Sequence, residues 1–384
     1  MEWQPCSWLT GMLVTSNNFP LKLYQTLVKN NKENVFFSPH SISMTMAMVL
    51  LGAEDNTAVE LKRGLGYEGM FDSSVHDNNQ EFLKKLSNMK STVVLETTNQ
   101  LFPEISYTLK EEFVKNCQKF YESQIEAKNF KQEPERARLE INQWVEDQTH
   151  KKIKDLLPVG SVNGLTRLVL ANAVYFKGSW LEEFEGYNTR KRKFHVKKRK
   201  TVKVDMMSQK AYFNINTDRN LKVQILELPY EGDEVSMILL VPTDRFGLGK
   251  VEECLTPEKL DSLISSFSKE EVEIALPKMK LEQQYDLTPT LKKMGIRDVF
   301  DSSLSKLQGI SDEPGLCIST VAHKAFIEVN EKGTEAAAAS SILLCGCSLT
   351  TVIPIEVICD HPFMFFIKHN PSQTILFVGR LMSP

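Results

Sequence analysis

The pattern of apolar and polar positions divides the chain into a helical first part and a strand-rich second part. Across residues 136–153, Ala137, Ile141, Trp144 and Val145 recur at helical spacing with charged residues between them, which predicts an amphipathic helix. Similar patterns dominate the first 160 residues. The first part of the chain is therefore predicted to be mostly helical.

Later segments are short apolar or alternating runs, most of them bounded by Gly, Pro, Asn or Asp, and they predict strands. These runs are 167–176, 223–228, 235–241, 272–276, 362–367 and 374–378. Residues 237–241 are apolar at every position, which favours a strand covered on both faces. Helices followed by strands predict an α+β fold, and the absence of a linker or repeat favours one large domain.

Composition agrees with a soluble globular protein. The 384 residues are 42% hydrophobic and 25% charged, with a net charge of -3, so nothing attracts the whole chain to a membrane or to a nucleic acid. The longest apolar window, 42–53, contains Ser43 and Thr45 and is shorter than the roughly 20 residues that cross a bilayer. No signal peptide is expected, although an uncleaved export signal stays an alternative.

The cysteines predict a reducing compartment. There are seven, an odd number without paired spacing, so we expect free thiols and a cytoplasmic or nuclear location, with unconventional secretion as the alternative. Cys345, Cys347, Cys359 and His361 contain four metal-binding groups, but one residue between the first two is too few for a zinc knuckle. A Cys347 nucleophile with His361 as its base stays an open alternative.

Common enzyme motifs are absent from the sequence. It has no His-Glu-x-x-His pair, no Gly-x-Ser-x-Gly elbow and no Walker phosphate loop. Gly247-Leu248-Gly249 lacks the third glycine of a dinucleotide site and is predicted to be a loop. These enzyme classes therefore lose most of their support, and we expect no cofactor and no metal.

The most unusual segment begins at Glu331 and contains a run of small residues. Locally it is typical of an alanine-rich helix capped by Thr334. Read with a period of two, every side chain from Ala336 to Ser341 is small on both faces, so the segment fits a sheet interior equally well. Gly333 supplies a flexible pivot before it.

At this point the chain resembles the serpin family. The segment is similar to a serpin hinge and reactive loop, and further motifs resemble those of the family in family order over residues 19–384. They are Phe36-Phe37-Ser38-Pro39-His40-Ser41-Ile42-Ser43, Asn172-Ala173-Val174-Tyr175-Phe176-Lys177-Gly178-Ser179-Trp180, Glu227-Leu228-Pro229-Tyr230, Leu276-Pro277-Lys278, His323-Lys324-Ala325-Phe326 and Asp360-His361-Pro362-Phe363. In its free cysteines the chain is most similar to the ovalbumin-like intracellular branch of the family, clade B.

The resemblance implies helices around three β-sheets, with an exposed reactive loop at about 333–355. It implies a monomeric protease inhibitor that is cleaved as a substrate, forms an acyl-enzyme and inserts its loop into the central sheet. Residues 12–384 would form the single domain and residues 1–11 an atypical extension. Asp55 stands where the family commonly has glycine. The alternative is a non-inhibitory serpin acting as a chaperone, storage or binding protein.

The resemblance also implies roles for individual residues. The hinge comprises Glu331, Gly333, Thr334, Glu335, Ala336, Ala337, Ala338 and Ala339. The shutter, a hydrogen-bonded group under the opening sheet, comprises Ser38, Ser41, Asn172 and His323. The breach, where the loop enters, comprises Lys278 and Trp180, with Lys278 paired to Glu331 and Trp180 packed on the sheet.

Family spacing places the scissile bond between Cys347 and Ser348, with Leu344 and Leu349 as alternatives to Cys347. No Lys, Arg or Asp occurs from 340 to 355, which favours elastase-like or chymotrypsin-like targets, or a cysteine cathepsin.

A second candidate site is a basic cluster, which is typical of a patch that binds a polyanion or nucleic acid. The alternative is an ordinary solvated hairpin, because Phe194, Val196, Val202 and Val204 alternate as strand residues do. The cluster comprises Arg190, Lys191, Arg192, Lys193, Lys197, Lys198, Arg199, Lys200 and Lys203.

Overall fold

The computed structural model describes residues 7–89, 93–334 and 354–384, with side chains from residue 18 onward. Nine α-helices lie in this part of the chain: α1 Ser7–Val28, α2 Pro39–Leu50, α3 Asp55–Leu65, α4 Asp72–Ser87, α5 Glu111–Tyr121, α6 Pro134–Gln148, α7 Leu248–Cys254, α8 Pro257–Ser265 and α9 Thr288–Lys293. The strands of the first two thirds are β1 Val35–Phe37, β2 Val94–Pro103, β3 Leu168–Ser179, β4 Arg190–Lys197, β5 Lys200–Asp218, β6 Val223–Pro229 and β7 Val235–Pro242. The remaining strands are β8 Ser268–Pro277, β9 Met279–Asp286, β10 Thr320–Asn330, β11 Gly333–Thr334, β12 Ile355–Ile358, β13 Phe363–His369 and β14 Thr374–Leu381. The predicted α+β class is confirmed.

The strands form two hydrogen-bonded sheets. A five-stranded sheet has the order β2-β3-β11-β10-β9, and a nine-stranded sheet has the order β1-β14-β13-β7-β6-β5-β8-β12 with β4 beside β5. Strand β5 is 19 residues long and pairs with β4 over residues 200–206, with β8 over residues 206–215 and with β6 over residues 214–218. The family resemblance implies three sheets, and β5 joins two of them into one hydrogen-bonded ladder.

The core lies in layers on both sides of the five-stranded sheet. One layer fills the space between the sheets and includes Phe176, Ala325 and Phe365. A second layer packs α6 against β3 and β10, through Ile141 and Val145. Burial on both faces explains the continuous apolar runs of the strands, as in β7, where every residue is buried.

The predicted helix at 136–153 ends earlier than its apolar pattern suggests. Helix α6 ends at Gln148, and His150 and Lys151 adopt φ values of 47° and 64°. These left-handed residues turn the chain, and Ile153 then returns to the same core from outside the helix. The loop prediction for the Gly247-Leu248-Gly249 segment is also wrong in part, because α7 begins at Leu248.

Asp55 adopts the backbone conformation of the glycine that the resemblance leads us to expect there. Its φ of 46° lies in the left-handed region, where an aspartate is tolerated better than most residues. Within the part of the chain that the structure describes, no helix is both long and apolar enough to cross a membrane.

Candidate functional site

The site is built around the seam between β3 and β10, two parallel strands at the centre of the five-stranded sheet. Residues Thr320 to Phe326 of β10 pair directly with Val169 to Tyr175 of β3. Beyond this ladder the two strands are separated by β11, which pairs antiparallel with both of them. The seam is therefore closed along one part and already holds two residues of an additional strand along the other.

Gly333 and Thr334, the two residues of β11, are both buried. Gly333 has a φ of 137°, and a Cβ on it would lie 2.1 Å from the carbonyl oxygen of Gly178. A side chain is thus excluded at this position by both backbone conformation and space. The side chain of Thr334 has no exposed surface, and its hydroxyl lies 2.9 Å from the phenol oxygen of Tyr230.

Trp180 and Tyr230 form the aromatic wall beside β11. Their rings stack with centroids 4.6 Å apart and planes at 16°. The indole Nε1 of Trp180 donates to the carbonyl of Asn330 at 3.1 Å, and its backbone N–H donates to the carbonyl of Lys332 at 2.9 Å. Trp180 therefore packs on the sheet, as predicted, and also holds the turn that leads into β11.

Glu331 is held from three sides just before β11. Its carboxylate lies 2.9 Å from Nζ of Lys278 and accepts a hydrogen bond from Thr189 Oγ1 at 2.9 Å. Its backbone carbonyl accepts from the N–H of Phe184 at 2.8 Å. Burial alone would raise the pKa of Glu331, but hydrogen bonds from Lys278, its own backbone and Thr189 outweigh it, and the pKa is lowered. The expected pair of Lys278 and Glu331 forms.

His323 and Asn172 face each other across the closed part of the seam, and each is fully buried. The backbone N–H of Ser38 donates to Nε2 of His323 at 3.2 Å, so Nε2 must be unprotonated. The proton then lies on Nδ1, which donates to Oδ1 of Asn172. Burial lowers the pKa of His323 to about 3, which keeps the ring neutral near pH 7.

The amide of Asn172 continues this network into helix α2. Its Nδ2 donates to Ser41 Oγ at 2.6 Å and to Thr45 Oγ1 at 2.9 Å. Ser38 caps the same helix, since its Oγ accepts from the N–H of Ser41, and it also donates to the carbonyl of Leu376 on β14 at 2.7 Å. All four predicted shutter residues therefore belong to one buried hydrogen-bonded group that spans the seam.

Sequence reasoning missed several members of this arrangement. Asn99 on β2 accepts from Ser41 Oγ at 2.8 Å, and Thr45 receives the second Asn172 bond. Thr189 and Tyr230 contact Glu331 and Thr334. Asn99 is the directly facing partner of Asn172 in the ladder of β2 and β3, so correct strand pairing would have identified it.

The rest of the predicted loop lies outside the described residues. This applies to hinge residues Glu335, Ala336, Ala337, Ala338 and Ala339, and to Leu344, Cys347, Ser348 and Leu349 around the predicted scissile bond. The alternative of an alanine-rich helix capped by Thr334 also concerns these residues and lies outside the described part of the chain; Thr334 itself lies in β11.

Cys359 and His361 are both engaged in the fold. Burial raises the pKa of the Cys359 thiol far above its ordinary value. His361 Nδ1 lies 2.7 Å from a carboxylate oxygen of Asp360, and Nε2 lies 2.7 Å from the carbonyl oxygen of Pro242. Neither ring nitrogen is left to activate a nucleophile. No cluster of three or more potential metal ligands occurs among the residues that the structure describes.

The basic cluster forms the hairpin of β4 and β5, as the solvated-hairpin alternative predicts. Phe194 is fully buried and Val204 nearly so, while Val196 and Val202 are partly buried. All nine basic side chains are exposed.

Comparisons with known proteins agree with the resemblance. The model of the Serpin family, described as serine protease inhibitor, matches residues 14–384. Leukocyte elastase inhibitor from Bos taurus is 42% identical over 377 residues, which cover 96% of this chain and 98% of that protein. Serpin B3 from Homo sapiens is 38% identical over 392 residues, covering 98% of this chain and all of that protein.

Solved structures match over almost the whole chain as well. Uncleaved ovalbumin superposes with a TM-score of 0.88 at 32% identity, covering 97% of this chain and 100% of that chain. Serpin48 from Tenebrio molitor superposes with a TM-score of 0.88 at 34% identity, covering 100% of both chains. The serpin fold and the assignment to a family of protease inhibitors rather than to an enzyme class are confirmed, and the chain belongs to the serpin family.

Proposed function

We propose that this protein is a suicide-substrate inhibitor of serine proteases with elastase-like or chymotrypsin-like specificity. A protease cleaves the reactive loop, the acyl-enzyme forms, and the freed hinge continues β11 into the seam between β3 and β10. The protease is carried along and its active site is distorted before water releases it. Residues 12–384 act as one domain and as a monomer, and the family match over residues 14–384 supports that extent.

The observation that carries the proposal is the position of β11. Gly333 and Thr334 pair with β10 on one side and β3 on the other, so the sheet accepts a central strand there without a change of fold. The side chain of Thr334 points into the interior. Since side chains alternate along a strand, Ala336 and Ala338 would follow it inward, where they need little space.

Opening the seam requires the shutter to separate. Adjacent strands lie about 4.8 Å apart, so a strand placed between β3 and β10 moves His323 and Asn172 beyond hydrogen-bonding distance. The shutter thus holds the intact protein in a kinetically trapped state. Lys278 and Trp180 hold the residues next to β11 at the entry point, which gives the hinge a fixed starting register.

The target class follows from the residues around the scissile bond. Bovine leukocyte elastase inhibitor, a relative at 42% identity, is by its name an inhibitor of elastase. Cys347, Leu344 and Leu349 are the residues that the protease's primary pocket could read, and all are small or apolar. We further infer a cytoplasmic or nuclear location, which is supported by the four described cysteines, Cys117, Cys254, Cys317 and Cys359, being unpaired.

The test is incubation of the intact protein with elastase and with chymotrypsin. An SDS-stable covalent complex supports the proposal, whereas a clipped chain and fully active protease would identify a non-inhibitory serpin. Mass spectrometry of the released fragment locates the cleaved bond.

A set of arginine variants tests which residue the protease reads. Trypsin is incubated separately with each of three variants, Cys347→Arg, Leu344→Arg and Leu349→Arg. We expect only Cys347→Arg to give a stable complex with trypsin. A complex with one of the leucine variants instead would move the scissile bond there.

A further inference from the structure

The hairpin of β4 and β5 is a two-stranded ribbon that extends beyond the rest of its sheet. Among the residues that the structure describes, strand β4 pairs with β5 alone, and the pairing of β8 with β5 begins at Met206. Within this described part, residues 200–205 and their partners on β4 have no third strand beside them, and single backbone hydrogen bonds from His195 to Asp360 and from Lys278 to Asp205 attach them to neighbouring segments. Phe194 and Val204 attach one face of the ribbon to the core, and the other face and the turn at Lys198 and Arg199 are exposed.

The register of this ribbon places like charges opposite each other. Lys193 faces Lys203, and Lys197 faces Lys200. Like charges at directly opposed positions destabilise an antiparallel pair. Among the described residues, Lys191 alone of the nine basic side chains pairs with a carboxylate, that of Asp205 at 2.8 Å. The fold thus keeps most of this positive charge uncompensated.

Protection of an edge strand accounts for only part of this charge. Lysines on β4 would suffice to keep another chain from pairing with it. They do not explain Lys198 and Arg199 in the turn, or Lys200 and Lys203 on β5, which already has β4 as a neighbour. A bound anion that neutralises the facing lysines does explain them.

A polar cleft of about 320 Å³ adjoins the ribbon. Its lining combines the cations of Arg190 and Arg192 with Lys210, which pairs with Glu271 at 3.1 Å, and with one carboxylate, that of Glu273. Asn188, Ser208 and Gln209 add neutral hydrogen-bonding groups. Two arginines beside hydroxyl, amide and carboxylate groups match a ligand that carries both anionic groups and hydroxyls. Sugars with sulfate groups have this chemistry.

The positive surface is too narrow for a wide polyanion. Lys210 on β5 faces Glu273 on the neighbouring strand β8, and Glu273 in turn faces Glu356 on β12. Both glutamates are exposed. A nucleic-acid duplex that covers the ribbon would also approach these carboxylates. Single-stranded nucleic acid is bound largely by stacking on aromatic side chains. The one Phe, Tyr or Trp of residues 190–203 is the buried Phe194, and the exposed Tyr187, next to Arg190, offers a single ring at one end of the ribbon rather than a row of stacking surfaces.

We propose that the β4–β5 ribbon and the adjoining cleft bind a single chain of sulfated polysaccharide. The chain lies along the exposed face, its sulfates between the facing lysines, with one sugar unit in the cleft.

The test uses the full-length protein and a fluorescently labelled heparin octasaccharide as the probe, titrated at several salt concentrations. A 20-base-pair DNA duplex and a single-stranded oligonucleotide are compared under the same conditions. The binding variant carries Lys193→Gln and Lys203→Gln, and the matched control carries Lys29→Gln and Lys32→Gln, two exposed lysines outside the ribbon. We expect octasaccharide affinity to fall about tenfold in the binding variant only, and the slope of log K against log salt to fall by about two.

Three results would overturn the proposal: no salt-dependent binding at about 50 mM salt, an equal loss in the control variant, or tighter binding of the DNA duplex or of the single-stranded oligonucleotide, which would assign the ribbon to nucleic acid. Lysine acetylation mapped by mass spectrometry on the unmutated protein provides a second measurement. The octasaccharide should protect Lys193 and Lys203 but leave Lys29 and Lys32 reactive. Equal acetylation with and without the probe would contradict the site, even if the double variant failed to fold.

Discussion

The hydroxyl of Thr334 lies 2.9 Å from the phenol oxygen of Tyr230, with both side chains fully buried. The first residues of the proposed hinge therefore already lie within the sheet, between β3 and β10. Tyr230 is stacked on Trp180, and Trp180 binds the turn before β11, so these contacts set the register in which the rest of the hinge would follow.

A charge at Thr334 should convert the protein from an inhibitor to a substrate. Burying an unpaired charge costs several kcal/mol, and about 1.4 kcal/mol already changes a rate tenfold. For Thr334→Arg we expect the fraction of protease trapped as SDS-stable complex to fall at least about tenfold. Thr334→Val, which keeps the shape and loses only the hydroxyl, is the control and should stay within about threefold, the effect of one weak hydrogen bond. Equal trapping by the arginine variant would contradict the need for an uncharged, buried side chain at position 334.

Gly333→Ala should displace β11 from the seam. The added methyl group would lie 2.1 Å from the carbonyl oxygen of Gly178 and the backbone would be strained at a φ of 137°, at a cost of about 1–3 kcal/mol. Hydrogen exchange of the Thr334 amide should become markedly faster. Gly249→Ala is the control, because a Cβ there meets no atom within 4 Å. Unchanged exchange in Gly333→Ala would contradict the described position of β11.

Acid should weaken the native state through His323. Burial lowers the pKa of this histidine to about 3, whereas its ordinary value is near 6.5, so below pH 6.5 the unfolded chain binds a proton that the native state does not. Titration of His323 therefore leaves the free energy of unfolding unchanged above pH 6.5. As the pH falls from 6.5 towards 3, it lowers that free energy by about 1.4 kcal/mol per pH unit. Denaturant unfolding between pH 7 and 5 measures this loss.

His40 and His76 have pKa values lowered to about 4 and contribute to the same trend, so His323→Gln is the necessary comparison. The variant should be less stable at pH 7. Its free energy of unfolding should fall less steeply with acid, because its unfolding takes up one proton fewer. Parallel pH profiles for the two proteins would remove His323 as a cause.

Reversing one charge in the basic ribbon should stabilise the fold. Lys193→Glu places a carboxylate opposite Lys203 and replaces a like-charge pair by an attractive one, worth about 0.2–1 kcal/mol. A slightly higher melting temperature is expected, together with weaker binding of the heparin octasaccharide. Lys29→Glu, the control, should change neither. A lower melting temperature in Lys193→Glu would show that the facing lysines do not repel each other appreciably.

The sequence predicts several strands well, because they depend on local patterns. Apolar runs bounded by turn residues identify β6 and β7 to within a residue or two. Gly333 and the small residues after it stand out because few other segments combine flexibility, small size and lack of charge.

Contacts between distant parts of the chain could not be predicted in the same way. Asn99 joins the shutter only through the register of β2 with β3, and Tyr230 reaches Thr334 across 104 residues. The facing lysines of the ribbon depend on an irregularity between His195 and Lys197, which sets which residues oppose each other. Apolar spacing also overestimates the length of α6, because two residues with positive φ follow the end of the helix while its apolar pattern continues.

The most direct test of the account is the thermal stability of the protein before and after cleavage of the reactive loop. If the freed hinge extends β11 along the seam, the cleaved protein gains a central strand, and its melting temperature should rise by well over 10 °C, measured by circular dichroism on the intact and clipped chains side by side. An unchanged or lower melting temperature after clean cleavage would contradict insertion, and with it the proposed inhibitory mechanism.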